Sequence, residues 1–558
     1  MDKKLFLIIG LLISITSLIS AEEFTNIISN SENWQDVYSI MHYANLKNVE
    51  GDFITSTEHG TVILNRINKE NRIKVITSKD NPYLFNYKET IESQGFQGVE
   101  EITVEDANLE LINDLPEIQN FIIVGDSFGY NAIAIIPYAI LTNSWVFLAN
   151  RLNAQEIDFI LSERNVKKVL IYGYVDREVR DAIEKYNPEI IDNEDRFQDN
   201  IEIVEKFLAI QPTKQALLTN GEFIEKELME GKEPIIFTGK ENVPDQIRDY
   251  LKDSTIEIGV LIGNDLINTA TNIHRSTGIY VMVKFAQGTK SQQSEISAVE
   301  SLDLFPLPTP TMNLELHSVK YNKINSQLEV TYKSSSNIPI YFKGTITVKS
   351  DTESIKVGDT QPTFITPENF KTVIYPLELK SLENLSAEIY TIYGDSKSSS
   401  DRILKKEIDI GVIEVLDKCK IEIKDLKYNK QSKSFIIEIK NLENANCWVS
   451  VELEDVLTGY TKKTIGTEKS IERPAKKSKA ISIKEEITEE DLISNKVINL
   501  IAHYGEREEN LVNIIQGEFE LNVDNLTTIT YAILILLLLI ILLIVFLFVL
   551  KKDDDEEI

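Results

Sequence analysis

Cysteine is almost missing from this chain, with two in 558 residues, and histidine is nearly as scarce, with five. So few thiols exclude a small scaffold held together by many disulfides. The histidines (His42, His59, His274, His317, His503) form no pair at metal-ligand spacing, so no zinc site is legible. Positive charge is also short. Lys and Arg number 58 against 88 Asp and Glu, a net charge of −30, and this argues against a nucleic-acid surface, which needs a positive field to displace counterions. Neither a Walker-type phosphate loop nor a GxGxxG turn follows any strand-like run, so no nucleotide and no other cofactor is expected.

Long apolar runs, by contrast, occur at both ends. Leu5 to Ile19 follows Lys3 and Lys4 and leads into Ser20 and Ala21. That layout reads as a secretory signal peptide over residues 1–21, with an uncleaved membrane helix as the alternative. Tyr531 to Leu550 carries no charge, and about 20 residues at ~1.5 Å each would cross a ~30 Å hydrocarbon layer. The expectation is a transmembrane helix over 527–550, with the membrane as partner. Lys551 and Lys552 then place the tail 551–558 in the cytoplasm, making a single-pass protein of the cell membrane with its ectodomain on the outer face.

Between these runs the chain has two periodicities. Up to residue 286, short apolar runs (IKVIT from Ile73, FIIVG from Phe121, WVFLA from Trp145, KVLIYG from Lys168, PIIFTG from Pro234, IGVLIG from Ile258, IYVMVKF from Ile279) alternate with amphipathic stretches such as AQEIDFILSERN and VPDQIRDYLKD. Buried strands alternating with helices read as α/β architecture with parallel sheets. The blocks opening at Val146 and Ile235 repeat one spacing, and a diverged block begins near Ile73, so 22–286 is read as about three related modules. Residues 287–312, ending in Pro306, Pro308 and Pro310, read as an extended linker.

Beyond it the period becomes 2 and the chain duplicates itself. LELHSVKYNKINSQLEVTYKS from Leu314 aligns with IEIKDLKYNKQSKSFIIEIKN from Ile421, and Tyr393-Gly394 recurs as Tyr504-Gly505. The fold class is therefore α/β followed by all-β: two β-sandwiches of immunoglobulin-like size, 313–416 and 417–526. The same alignment sets Cys419 against Met312 and Cys447 against Ile340. Both thiols then occupy inward positions that a hairpin would bring together, so a disulfide between Cys419 and Cys447 is expected, with two buried free thiols as the alternative. Asn384 and Asn525 open N-x-S/T sequons and are candidate glycosylation sites.

Two motifs suggest chemistry. Gly125-Asp126-Ser127 follows a strand-like run and resembles the opening of the GDSL hydrolases, but no Asp-x-x-His block follows for a base. No catalytic residue is expected; Asp126, like Asp265, reads as a cap on the following helix. The stretch NAIAIIPYAI, then WVFLANRLNAQEIDFILSERNVKKVLIYGYVDREVRDAIEKY, closing on Asp195-Arg196-Phe197, resembles the cell-wall-binding repeat 2 family, although Tyr174 replaces a glycine and Asp199 a threonine. The resemblance implies three such modules holding anionic wall polymers, with Arg196 as candidate contact. With the signal, the α/β modules, the two β-sandwiches, the C-terminal helix and the short tail, the whole chain resembles membrane-anchored surface-layer proteins of archaea. The expected function is a non-enzymatic surface structural protein, partnered by copies of itself or envelope glycans. The alternatives are a tethered receptor or adhesin for a small solute or glycan, and a hydrolase using Ser127.

Overall fold

A computed structural model describes residues 24–263, 267–284, 304–524 and 535–544. It divides into two compact units, Met1–Thr311 with Ile392–Ile403, and Met312–Thr391 with Leu404–Ile558. Several expectations lie outside the described residues: the leader 1–21, most of the linker, Asp265, Asn525 and the tail 551–558.

One expectation is corrected. Among the described residues no helix is long and apolar enough to cross a membrane. The apolar C-terminal run is described as helix over 535–544 alone, about 15 Å of rise against the ~30 Å a span needs. The transmembrane segment 527–550, and the single-pass placement in the cell membrane built on it, therefore do not stand.

The first unit holds three four-stranded parallel sheets. The strands of the first are β1 (Asn26–Asn30), β2 (Glu50–Phe53), β3 (Arg72–Ser78) and β4 (Gly98–Val104). Those of the second are β5 (Asn120–Gly125), β6 (Ser144–Ala149), β7 (Lys168–Tyr172) and β8 (Glu189–Ile191). The third uses β9 (Gln215–Thr219), β11 (Ile235–Phe237), β12 (Ile258–Ile262) and β13 (Tyr280–Lys284), with the short β10 (Phe223–Ile224) outside the sheet. Each sheet has one order, second strand, first, third, fourth: β2-β1-β3-β4, β6-β5-β7-β8 and β11-β9-β12-β13. Parallel strands need crossovers, and helices supply them; Trp34–Leu46 starts where the Asn33 side chain accepts from Gln35 N at 3.0 Å. Strands covered on both faces lose the alternation of polar residues, and all six residues of β6 are buried.

The modules share their cores. One apolar cluster joins Trp34 and Tyr38 of the first module to Ile133, Leu148 and Phe197 of the second and Leu218, Ile236 and Leu261 of the third. Part of the linker belongs to it as well. Within it β14 (Phe305–Pro306) pairs antiparallel with β10, and Phe305 and Leu307 are buried in that cluster.

The second unit shows the duplication strand for strand. The first copy has β15 (Leu314–Asn322), β16 (Gln327–Ser334), β17 (Ile340–Lys349), β18 (Ser354–Gly358), β19 (Thr363–Ile365), β20 (Phe370–Pro376), β21 (Ser386–Gly394), β22 (Arg402–Asp409) and β23 (Gly411–Ile413). The second has β24 (Ile421–Asn429), β25 (Ser434–Asn441), β26 (Cys447–Thr458), β27 (Thr461–Gly466), β28 (Ile471–Arg473), β29 (Ser478–Lys484), β30 (Val497–Gly505), β31 (Asn513–Glu520) and β32 (Asn522–Asp524). Sheets β20-β16-β15-β23 and β18-β17-β21-β22 correspond to β29-β25-β24-β32 and β27-β26-β30-β31. Even the irregularity of the first hairpin recurs, between Leu316 and Ser318 and between Ile423 and Asp425. Strict alternation in β17, buried at every second residue, shows why period 2 was so plain there.

Candidate functional site

Polar side chains gather where the strands of the second module end. Asp126 follows β5, but its carboxylate accepts from Asn150 Nδ2 at 2.6 Å and does not cap the next helix, which begins at Tyr130 behind Gly129 with no side-chain cap. Ser127 is exposed, and none of the three histidines of this unit reaches it. His42 is fully buried, stacks on Trp145 at 5.3 Å and places Nε2 2.9 Å from Ser144 O. Burial pushes its pKa down to about 4, so it is a neutral core residue. His59 Nδ1 accepts from Thr55 N at 3.2 Å, and His274 Nδ1 lies 2.8 Å from Ile279 O. A nucleophile with neither base nor orienting carboxylate is no catalytic set.

The crevice between the first and third strands of a sheet like this is where α/β folds commonly bind ligands. Here it is closed. A Cβ on Gly125 would lie 2.6 Å from Tyr174 O, and Gly173, at φ +71°, would drive one into Asn131. Gly129 is covered by Leu307, and its N–H donates to Pro308 O at 3.3 Å.

Arg196 sits in a buried charged cluster of the first unit. Asp195 caps the helix Arg196–Ile210, accepting from Phe197 N at 2.9 Å and Gln198 N at 3.2 Å. It also accepts from Gln246 Nε2 at 2.7 Å, from Ser396 Oγ at 2.7 Å and from Ser398 Oγ. The Arg196 guanidinium lies over the rings of Tyr130 and Phe197, with Nη2 donating to Asp401 Oδ2 at 2.8 Å. Its Nε is 3.5 Å from Asp395 Oδ2, an electrostatic contact lacking hydrogen-bond geometry.

The sequence motif thus grips the segment 395–401, two hundred residues away, and the guanidinium side chain is 11% exposed. Burial opposes its charge, but Asp395 and Asp401 outweigh that and hold it protonated more firmly than usual. Burial also lifts Asp401 to about 6, Arg196 notwithstanding. The Asp401 carbonyl accepts from Glu241 N and Asn242 N, both at 3.0 Å, so backbone as well as side chains fix this loop. Asp199, next on the same helix, accepts from Asn193 N at 2.7 Å and Nδ2 at 2.9 Å, and burial raises its pKa to about 7.

A separate cleft of about 240 Å³ lies between the first and third modules, lined by Asp52, His59, Arg66, Glu225, Lys226 and Lys284 among others. Lys226 Nζ reaches Glu50 at 2.6 Å and Asp52 at 3.0 Å, and Lys284 bridges Glu225 and Glu227, so each lysine spans two acids. In the second unit Cys419 and Cys447 are joined by a disulfide, with Cα atoms 5.7 Å apart. Asn384 is exposed in a left-handed turn, at φ +49°, before β21, with Nδ2 beside Asp351. Among the described residues no group of three or more His, Cys, Asp or Glu could hold a metal ion.

Three features escaped the sequence reading: the engagement of Arg196 by 395–401, the ion bridges of the cleft and the buried Lys371–Glu452 pair described below. The run Asp395-Ser-Lys-Ser-Ser-Ser-Asp401, two acids around hydroxyls, was the available signal for the first.

No protein-family model matches the chain, and no curated protein does. Similar solved structures include Escherichia coli alpha-2-macroglobulin activated by porcine elastase, at 10% identity and a TM-score of 0.15 over 40% of this chain and 24% of that one. Red sea bream transglutaminase matches at 8% identity and a TM-score of 0.12, over 38% of this chain and 31% of that one. A chaperone-tip adhesin complex of CFA/I fimbriae matches at 12% and 0.14, over 34% of this chain and 92% of that one. The chain thus spans less than a third of the first two, and TM-scores of this size carry no argument about fold or function.

Proposed function

We propose that the chain is a non-enzymatic structural protein of the cell envelope, of the surface-layer type, whose role is to present repeated folded modules to neighbouring copies or to envelope glycans. The observation that carries this reading is repetition without a reaction centre: three sheets of one order and two β-copies of one order, with the chemistry-bearing residues spent on packing. Among the described residues no base reaches Ser127, and Arg196 binds the chain's own acids. The resemblance of 131–207 to cell-wall-binding repeats supports an envelope role. The disulfide Cys419–Cys447 supports export to an oxidising compartment. With net charge −30, close-packed copies repel unless cations intervene, so assembly is expected to need divalent ions. Electron microscopy of isolated envelopes, with and without chelator, tests this. Ordered arrays that contain the chain support the proposal, and a sparse, unordered distribution overturns it.

The cleft between the first and third modules favours a second reading, in which the first unit takes up a small solute carrying both charges. Lysines already bridged by acids can exchange those partners for a ligand's carboxylate. Thermal shifts with a panel of amino acids and sugar acids would detect this, and the absence of any shift removes it.

A further inference from the structure

The second unit contains a contact between its two β-sandwiches that is polar and yet buried. Thr366 Oγ1 of the first copy donates to Thr467 O of the second at 2.8 Å, Asn369 Nδ2 reaches the same carbonyl at 3.2 Å, and Asn510 Nδ2 donates to Thr331 Oγ1 at 3.1 Å. At its centre Lys371, on β20 of the first copy, meets two residues of the second: its ammonium pairs with Glu452 of β26 and lies 2.7 Å from His503 Nε2 of β30. All three side chains are less than a tenth exposed.

We propose that this triad is an acid-released clasp between the two β-sandwiches, closed while His503 is neutral and opened when the imidazole takes a proton. The geometry requires the neutral form, because Lys371 has only protons to offer and His503 Nε2 must therefore accept. The ring's remaining hydrogen then sits on Nδ1, which has no hydrogen-bond partner among the described residues. A second proton would set imidazolium against ammonium at contact distance. The residual space, about 10 Å³, is at the lower limit for one water, so solvent cannot screen the pair.

The sign follows from every charged group at the contact. Burial, then Lys371, holds His503 well below its ordinary pKa in the closed state. In the open state it returns to about 6.5, so opening takes up a proton below that pH and is favoured there. Glu452 works the other way. Burial raises it while Lys371 lowers it, and Glu454 adds repulsion, so once the pH falls to its raised value the closed state takes up a proton first and the trend levels off. The pair Arg507–Glu329, at 3.0 Å, also joins the two copies. His317 and Glu509, 3.0 Å apart, also face each other across the copies, but both side chains are exposed, so the contact is weak.

The test is the distance between spin labels on Lys356→Cys and Lys479→Cys, one exposed site on each sandwich, in the full chain with its disulfide intact. Below pH about 6.5 the ratio of open to closed molecules should rise by up to about tenfold per pH unit, then level off. His503→Gln keeps an acceptor for Lys371 and cannot titrate, so its distance distribution should stay constant over the same range. The same distribution at pH 8 and pH 5 in the unsubstituted chain overturns the proposal, and so does a His503→Gln chain that opens like the unsubstituted one.

Discussion

The two β-copies share every strand, yet the loop joining their seventh and eighth strands fastens through a side chain of opposite charge in each. Between β21 and β22 the first copy carries Asp395 and Asp401, which receive the buried Arg196 within the first unit. Between β30 and β31 the second copy carries Arg507, which reaches the buried Glu329 within the second unit. Duplication preserved the backbone and the use of this loop as a fastening, while the sign of the side chain that fastens it diverged. The lesson is that a repeat can conserve a mechanical role without conserving the residue that performs it.

Removing each arginine probes that divergence. Arg196→Met should give the largest effect. It leaves Asp395 and the deeply buried Asp401 without their cation, and loss of one partner of a buried pair costs about 3–5 kcal/mol. Thermal unfolding should fall accordingly, and 392–403 should become open to protease. The copies also differ in covalent linkage, since Met312 and Ile340 of the first are buried where the second has its disulfide. Replacing Cys419 and Cys447 together by alanine should cost about 3 kcal/mol in denaturant unfolding.

Asp199→Asn sharpens the contrast by pH. The native carboxyl, raised to about 7 from an ordinary value near 4, binds protons more readily folded than unfolded, so ionising it in the folded state costs stability. The asparagine keeps the Oδ1 acceptor. The variant should be more stable by about 1 kcal/mol or more at pH 8, an advantage that fades between pH 7 and pH 4 in urea titrations. Arg507→Met should be milder, about 1–3 kcal/mol, because Glu329 keeps a donor in Asn322 Nδ2 at 3.2 Å once the arginine is gone. Equal losses for Arg196→Met and Arg507→Met would erase the distinction between the two loops.

Local periodicity made much of the fold legible. Continuous apolar runs such as Phe121 to Gly125 marked strands buried on both faces, and alternation from Leu314 to Tyr332 marked half-buried antiparallel ones, because side-chain spacing is a local property. The recurrence of Tyr321-Asn322-Lys323 at Tyr428-Asn429-Lys430 exposed the duplication, and through it the proximity of the cysteines. What escaped is long-range. Nothing near Arg196 in sequence points to residues 395–401, and Lys371, Glu452 and His503 come from three distant strands. Asp126 was misread because a turn acid can bond sideways to Asn150 as readily as forward to a helix. The C-terminal run is apolar in composition, but among the described residues no helix is long and apolar enough to cross a membrane.

The pairing of β15 with β23, and of β24 with β32, is parallel, whereas β15–β16, β16–β20, β24–β25 and β25–β29 beside them are antiparallel. A polypeptide that finishes a domain alongside its opening strand and pointing the same way departs from the end opposite to its entry. Such a domain is a directional link, able to be followed by another of its kind with no return stretch of chain, so the length of this protein could grow by gene duplication alone.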